Sequence, residues 1–187
     1  EHPVEDFILI NEKWRKRDIE KLYQIGQKSI PKKLWEGGFL QMKNTKVMAT
    51  YGDRRTYYYK GKPISKSVHL GYDLASIERA SVEASNTGIV IYAGELGIYG
   101  YTVIIDHGLG VMSLYGHLSK IKVKEGQKVD KGEEIGKTGS TGFAGGDHLH
   151  FGILVQGVEV SPIYWWDVKW IENNILNVIN ENEEEIN

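Results

Sequence analysis

Two rhythms divide the chain. From Asn11 to Lys28, apolar residues recur at Trp14, Ile19, Leu22, Tyr23 and Ile25, in a charged stretch whose only glycine is Gly26. That spacing predicts a helix lying on the outside of a β domain, with Asn11 as its N-cap and Pro31 ending the stretch. Residues 32–48 read as a connector. From Thr50 to about Ser161, short runs rich in β-branched and aromatic residues alternate with glycine-containing turns. The runs are Gly88–Ala93, Tyr101–Asp106, Gly110–Tyr115, Ile121–Val123, Glu134–Lys137 and His148–Val155. Tyr57 to Tyr59, followed by Lys60-Gly61-Lys62-Pro63, reads as a strand entering a turn. This is the pattern of a mainly β domain, an antiparallel sandwich or open barrel. After Pro162, the stretch Trp165 to Ile179 reads as a closing helix in which Trp166, Trp170, Ile171 and Val178 can share a face. The Asn- and Glu-rich residues 180–187 read as a solvated end. The expected organisation is an N-terminal helical and connector segment (1–48), a β domain (49–163), and a C-terminal helix with an acidic tail (164–187).

Composition narrows the chemistry. With 41% hydrophobic and 26% charged residues over 187 positions, the chain is long enough to bury a core without covalent staples. A net charge of −2 supplies no global basic field for nucleic acid. There is no cysteine, which excludes disulfides, thiolate metal sites and a thiol nucleophile, so any metal must be held by His, Asp or Glu. No apolar run approaches the ~18 residues of a membrane span, and no signal peptide is visible. A first residue of Glu1 rather than Met leads us to expect a processed or truncated product.

Three histidine segments carry candidate chemistry. In His69-Leu70-Gly71-Tyr72-Asp73, an extended chain would return His69 and Asp73 to one side, with Gly71 relieving crowding between them. In His148-Leu149-His150-Phe151, strand alternation sends both imidazoles to one face and Leu149 and Phe151 to the other. His117, in Tyr115-Gly116-His117-Leu118, sits just past an apolar strand. His69, Asp73 and one of the paired histidines supply three protein ligands, the number that leaves a catalytic zinc ion an open position. The remaining histidine of the pair and His117 are then free as acid, base or oxyanion donor. No HExxH motif supplies a glutamate base.

Read together, HxxxD, YGHLS and HLHF resemble the lysostaphin/LytM-type zinc metallopeptidases. The segments Ser67–Leu74, Gly88–Val90, Gly100–Gly108, Tyr115–Ser119, Val123–Val129, Gly132–Gly142 and His148–Phe151 follow in family order, so the likeness covers roughly residues 50–163. The resemblance implies that His69, Asp73 and His150 bind one Zn²⁺, and that His117 and His148 are catalytic. It implies a peptidoglycan endopeptidase acting on peptide cross-links in the cell envelope, periplasmic or extracellular, with a stem-peptide bond such as D-alanyl–diaminopimelate as the target. Under it, Tyr115 either lines the groove or packs its strand, and His107 is structural. One departure stands out. Family members often carry proline before HLHF, whereas this chain has Asp147, which bears on the shape of a loop beside the groove.

Two other readings compete. A same-fold protein without turnover could bind the wall or activate another hydrolase, but such proteins typically lack one of the five site residues, all present here. A lipoyl- or biotinyl-like carrier fits Val123–Val129 and Lys131-Gly132, yet no exposed hairpin tip presents its lysine. The lysine-dense stretch 120–137 reads as a solvated strand face, and Trp165, Trp166 and Trp170 read as core around the last helix.

Overall fold

The computed structural model describes residues 2–179. Helix starts earlier than expected. α1 (Pro3–Ile8) has proline in its first turn and Glu5 and Asp6 near its positive end, runs without a break through a π-helical stretch (Leu9–Trp14), and continues as α2 (Arg15–Gly26). Asn11 therefore caps nothing. It is buried in mid-helix, and its Nδ2 donates to Ser65 Oγ (2.8 Å) and to the Lys66 carbonyl (3.1 Å). α2 buries Leu22 and Ile25, worth roughly 1.5–3 kcal/mol each. It ends where Gly26 meets Gly157 so closely that a Cβ on Gly26 would lie 2.1 Å from the Gly157 Cα.

The connector gives way to β1 (Lys46–Ala49), and a hairpin follows, β2 (Arg54–Tyr59) with β3 (Lys62–Val68), turning on the positive-φ pair Lys60 and Gly61. Then come β4 (Tyr72–Ala75), β5 (Ser81–Glu83), β6 (Gly88–Glu95), β7 (Tyr101–Asp106), β8 (Val111–Leu118), β9 (Lys120–Ile121), β10 (Lys128–Val129), β11 (Glu134–Lys137), β12 (Leu149–Val155) and β13 (Val158–Val160). The main sheet has the order β1-β4-β12-β8-β7-β6-β10, with β13 also on β12, and each of these neighbours pairs antiparallel. Its ends do not close on each other, so the domain is mainly β and not a closed barrel. A small sheet, β5-β11-β9, lies apart from it.

Strand alternation buries both faces of the main sheet. Val103, Ile105, Tyr115, Leu149, Phe151 and Ile153 join Val82 and Ile135 of the small sheet and the Trp35–Phe39–Trp165 cluster. Ile104, Met112, Leu114 and Leu154 point the other way, to Leu22 and Ile25 of α2. His150 lies between Leu149 and Phe151, so it faces the α2 side. The closing helix begins as a 3-10 turn (Pro162–Trp166), and α3 (Val168–Ile171) starts on Asp167, whose Oδ1 accepts from the Lys169 and Trp170 amides at 2.9 and 3.2 Å. Trp165 and Ile171 are buried, whereas Val178 is exposed rather than on the buried face. Within the lysine stretch, Lys122 and Lys137 both reach Glu134, at 2.8 and 2.7 Å.

Candidate metal centre and groove

Two adjacent strands supply the heart of the site. Asp73 on β4 is the register partner of His150 on β12, and His150 is also opposite Gly116 on β8. His69 comes from the link between β3 and β4 rather than from a continuous strand, and the chain bends at Gly71. Gly71 does relieve crowding, but against His150: a Cβ there would fall 2.7 Å from the His150 Cε1 and Nε2 and 2.6 Å from the Phe151 carbonyl oxygen. His117 lies within β8, not beyond it. Between Leu118 and Tyr115 the pairing with β7 shifts by one residue, and His117 takes a φ of 61°. Such a bulge re-aims one side chain, here toward His148 and His150, at ring-centroid distances of 4.8 and 5.8 Å.

Three donor atoms converge. His69 Nε2 is 2.9 Å from Asp73 Oδ1 and 3.2 Å from His150 Nδ1, and His150 Nδ1 is 3.0 Å from Asp73 Oδ1. His148 Nε2 stands 3.5 Å from the same carboxylate oxygen. Backbone carbonyls select the tautomers, because a carbonyl can only accept. Nδ1 of His69 donates to Thr50 O (2.9 Å), that of His117 to Thr141 O (2.8 Å), and that of His148 to Gly146 O (2.8 Å). Each leaves a lone pair on Nε2. His150 has a buried Nε2 with no partner among the described residues, so its hydrogen is unsatisfied there or its lone pair is. A carboxylate and two imidazole nitrogens this close repel unless a cation or a proton lies between them. Tetrahedral zinc with bonds of ~2.0–2.1 Å sets its ligand atoms about 3.3 Å apart, close to the separations found. His69, Asp73 and His150 thus form a group able to hold a metal ion.

The electrostatics agree with a compact polar cluster. Burial would raise the Asp73 carboxyl, but hydrogen bonds with His148, His150 and His69 outweigh it and hold it far below the carboxylate range. Burial, with His150 and His148 alongside, pushes His117 down to about 3. Burial also opposes charge on His148, yet Asp73 and the Gly146 carbonyl raise it.

A groove of about 350 Å³ opens over this cluster, lined further by Tyr57, Tyr99, Ile98, Phe143 and, from the N-terminal helix, Arg15 and Ile19. Tyr57 is the one of the three consecutive tyrosines that reaches it. Tyr115 does not: it is buried, and its hydroxyl bonds the Ser85 amide (2.7 Å) and hydroxyl (2.8 Å). His107 is likewise buried, between Thr87 O and Ser113 Oγ at 2.8 and 2.7 Å. In the loop that departs from the family, Phe143 to Gly145 border the groove, and Asp147 accepts from the Arg79 amide (3.1 Å).

A model of Peptidase family M23 matches residues 67–162, slightly more than half of the chain and every one of the five residues named above. The chain belongs to peptidase family M23. This M23 domain is 37% identical over 120 residues to the peptidoglycan DD-endopeptidase ShyA of Vibrio cholerae, covering 63% of the chain and 27% of ShyA. It is 31% identical over 143 residues to stage II sporulation protein Q of Bacillus subtilis, covering 74% of the chain and 47% of that protein. The solved catalytic domain of lysostaphin from Staphylococcus simulans superposes with a TM-score of 0.57 at 28% identity, covering 68% of the chain and 96% of that domain. The aligned part is about a quarter of ShyA's length. Arg15, Arg55 and Tyr57 lie outside the segment matched to the M23 model. Among the described residues, no helix is long and apolar enough to cross a membrane.

Proposed function

We propose that this chain is a zinc-dependent endopeptidase that hydrolyses stem-peptide cross-links of bacterial peptidoglycan in the cell envelope. The observation that carries the reading is the convergence of His69, Asp73 and His150 beside two further imidazoles, each fixed through Nδ1 to a backbone carbonyl. Zinc in such a site polarises a peptide carbonyl and lowers the pKa of water to ~7. His69, Asp73 and His150 hold the ion, and the Thr50 carbonyl orients His69. Of His117 and His148, one accepts the water proton at Nε2 and passes it to the departing amine. The other, as an imidazolium whose Nδ1–H stays on its backbone carbonyl, donates from Nε2 to the oxygen that gains negative charge as water adds to the carbonyl. A single donor of that kind is worth ~3 kcal/mol of barrier.

The test is digestion of purified peptidoglycan by the protein as prepared, after chelation, and after zinc is restored, with products identified by mass spectrometry. Loss of cross-linked muropeptides that follows zinc is expected. Intact cross-links from a protein with stoichiometric zinc would overturn the reading in favour of a wall-binding protein without turnover.

A further inference from the structure

The charge of the groove is lopsided. Its lining holds two guanidinium groups, Arg15 and Arg55, and a single carboxylate, Asp73, which is already committed to three imidazoles. Arg15 is held in place. Its Nε donates to the Asn11 carbonyl (3.2 Å) and Nη2 to Asn11 Oδ1 (3.0 Å), and Asn11 is in turn tied to Ser65 and Lys66. That uses two of the five guanidinium donors. Arg55 makes one long contact, Nη2 to Asp73 Oδ2 at 3.5 Å, with its side chain 40% exposed. The helix that carries Arg15 is pinned across the groove by Phe7, which packs on Tyr57 and Phe143 at centroid distances of 4.8 and 5.4 Å. Two forked cations with spare donors, on walls fixed before a ligand arrives, match a planar anion.

We propose that Arg15 and Arg55 form a carboxylate-recognition pair, so that the groove selects peptides bearing a free carboxylate next to the scissile bond over uncharged ones. This deepens the endopeptidase reading and rests on it for the identity of the ligand as a peptide. The selecting groups come from the N-terminal helix and β2, outside the segment shared with the M23 model. Specificity is therefore carried by parts of the chain other than those that hold the metal.

The experiment uses two synthetic cross-linked peptides that differ only in a carboxylate or a carboxamide on the residue flanking the scissile bond. kcat/KM is measured for the wild type, Arg15→Gln, Arg55→Gln and, as a charge control, Arg54→Gln. Binding of both peptides to zinc-loaded His148→Ala, with and without Arg15→Gln, is measured by calorimetry. A charge-assisted hydrogen bond to a half-exposed guanidinium supports a preference of roughly 10-fold for the carboxylate peptide. That ratio is expected to fall toward unity in Arg15→Gln and in Arg55→Gln, chiefly through KM, and to persist in Arg54→Gln. Circular dichroism melts establish that each variant is folded, and Arg15→Lys is expected to restore part of the preference. Equal cleavage of the two peptides by the wild type overturns the carboxylate pair and leaves the endopeptidase reading standing. No cleavage of either, with Arg15-dependent preference in binding, overturns the endopeptidase reading and supports the pair. No cleavage and no preference overturns both.

Discussion

Gly71→Ala puts a single methyl group into the tightest approach of the metal centre. The new Cβ would sit 2.7 Å from His150 Cε1 and Nε2, about 0.7 Å inside the 3.4 Å at which ordinary contact begins, and 2.6 Å from the Phe151 carbonyl. Neither neighbour can retreat easily. Phe151 and His150 are buried on β12, which is hydrogen-bonded to β4 on one side and β8 on the other. The strain of such overpacking is about 1–3 kcal/mol of folding stability. The part relieved by turning the His150 ring moves Nδ1 off the point it shares with His69 and Asp73, and a misoriented ligand weakens a metal site by about 10–100-fold. We therefore expect Gly71→Ala to fold, with a lower urea midpoint in chelator, and to bind zinc at least about 10-fold more weakly in competition with a chromophoric chelator. Gly145→Ala is the comparison: its Cβ meets nothing within 4 Å, and it should match the wild type in both measurements. Wild-type zinc affinity in Gly71→Ala would refute the assignment of His150 as a ligand held by this approach.

Three further outcomes are expected. His117→Ala and His148→Ala should retain zinc by atomic absorption and lose at least about 100-fold in cross-link cleavage, whereas Asp73→Ala and His150→Ala should lose both. Full activity in His148→Ala would remove it from the mechanism. Glu159 is buried, accepts from the Tyr99 hydroxyl (2.9 Å), and is pushed by burial from 4.5 up to about 7. The folded state binds its proton more tightly than the unfolded chain does. Its stabilisation is thus complete below pH 4.5 and lost as pH rises through 7, an effect of about 3 kcal/mol, and Glu159→Gln should flatten that slope in urea unfolding across this range. Asn11→Ala removes both bonds to β3 and should cost about 1–3 kcal/mol, with amide exchange quickening most in residues 3–26; exchange unchanged there would show that the helix is held by its apolar face alone.

Much of the centre is legible in local pattern because its logic is local. His148 and His150 are two residues apart with Leu149 and Phe151 between and after them, so period-two alternation alone assigns the polar side and the core side. The glycine-punctuated runs become β6, β7, β8, β9, β11 and β12 for the same reason. What escapes is decided by chain segments far apart in sequence. Asn11 has a good N-cap side chain, but Ser65, 54 residues away, competes for it and wins, while Pro3 starts the helix eight positions earlier. His117 carries no mark of the left-handed backbone that turns it inward, since the bulge belongs to a strand pair and not to a residue. Arg15 and Arg55 look like ordinary solvated charges until the helix and hairpin bring them to the groove beside His69, Asp73 and His150. The short strands β5, β10 and β13, of two or three residues, are too brief for any periodicity to register.

The placement of Asp73 opposite His150 makes the donor group hostage to strand register. These two groups are 77 residues apart, and the later one belongs to the strand that slots between β4 and β8. His69 and Asp73 supply two donors from neighbouring positions, and the third comes only from β12. The three-donor group is therefore complete only where β12 pairs with β4, and any slip in that pairing separates His150 from Asp73.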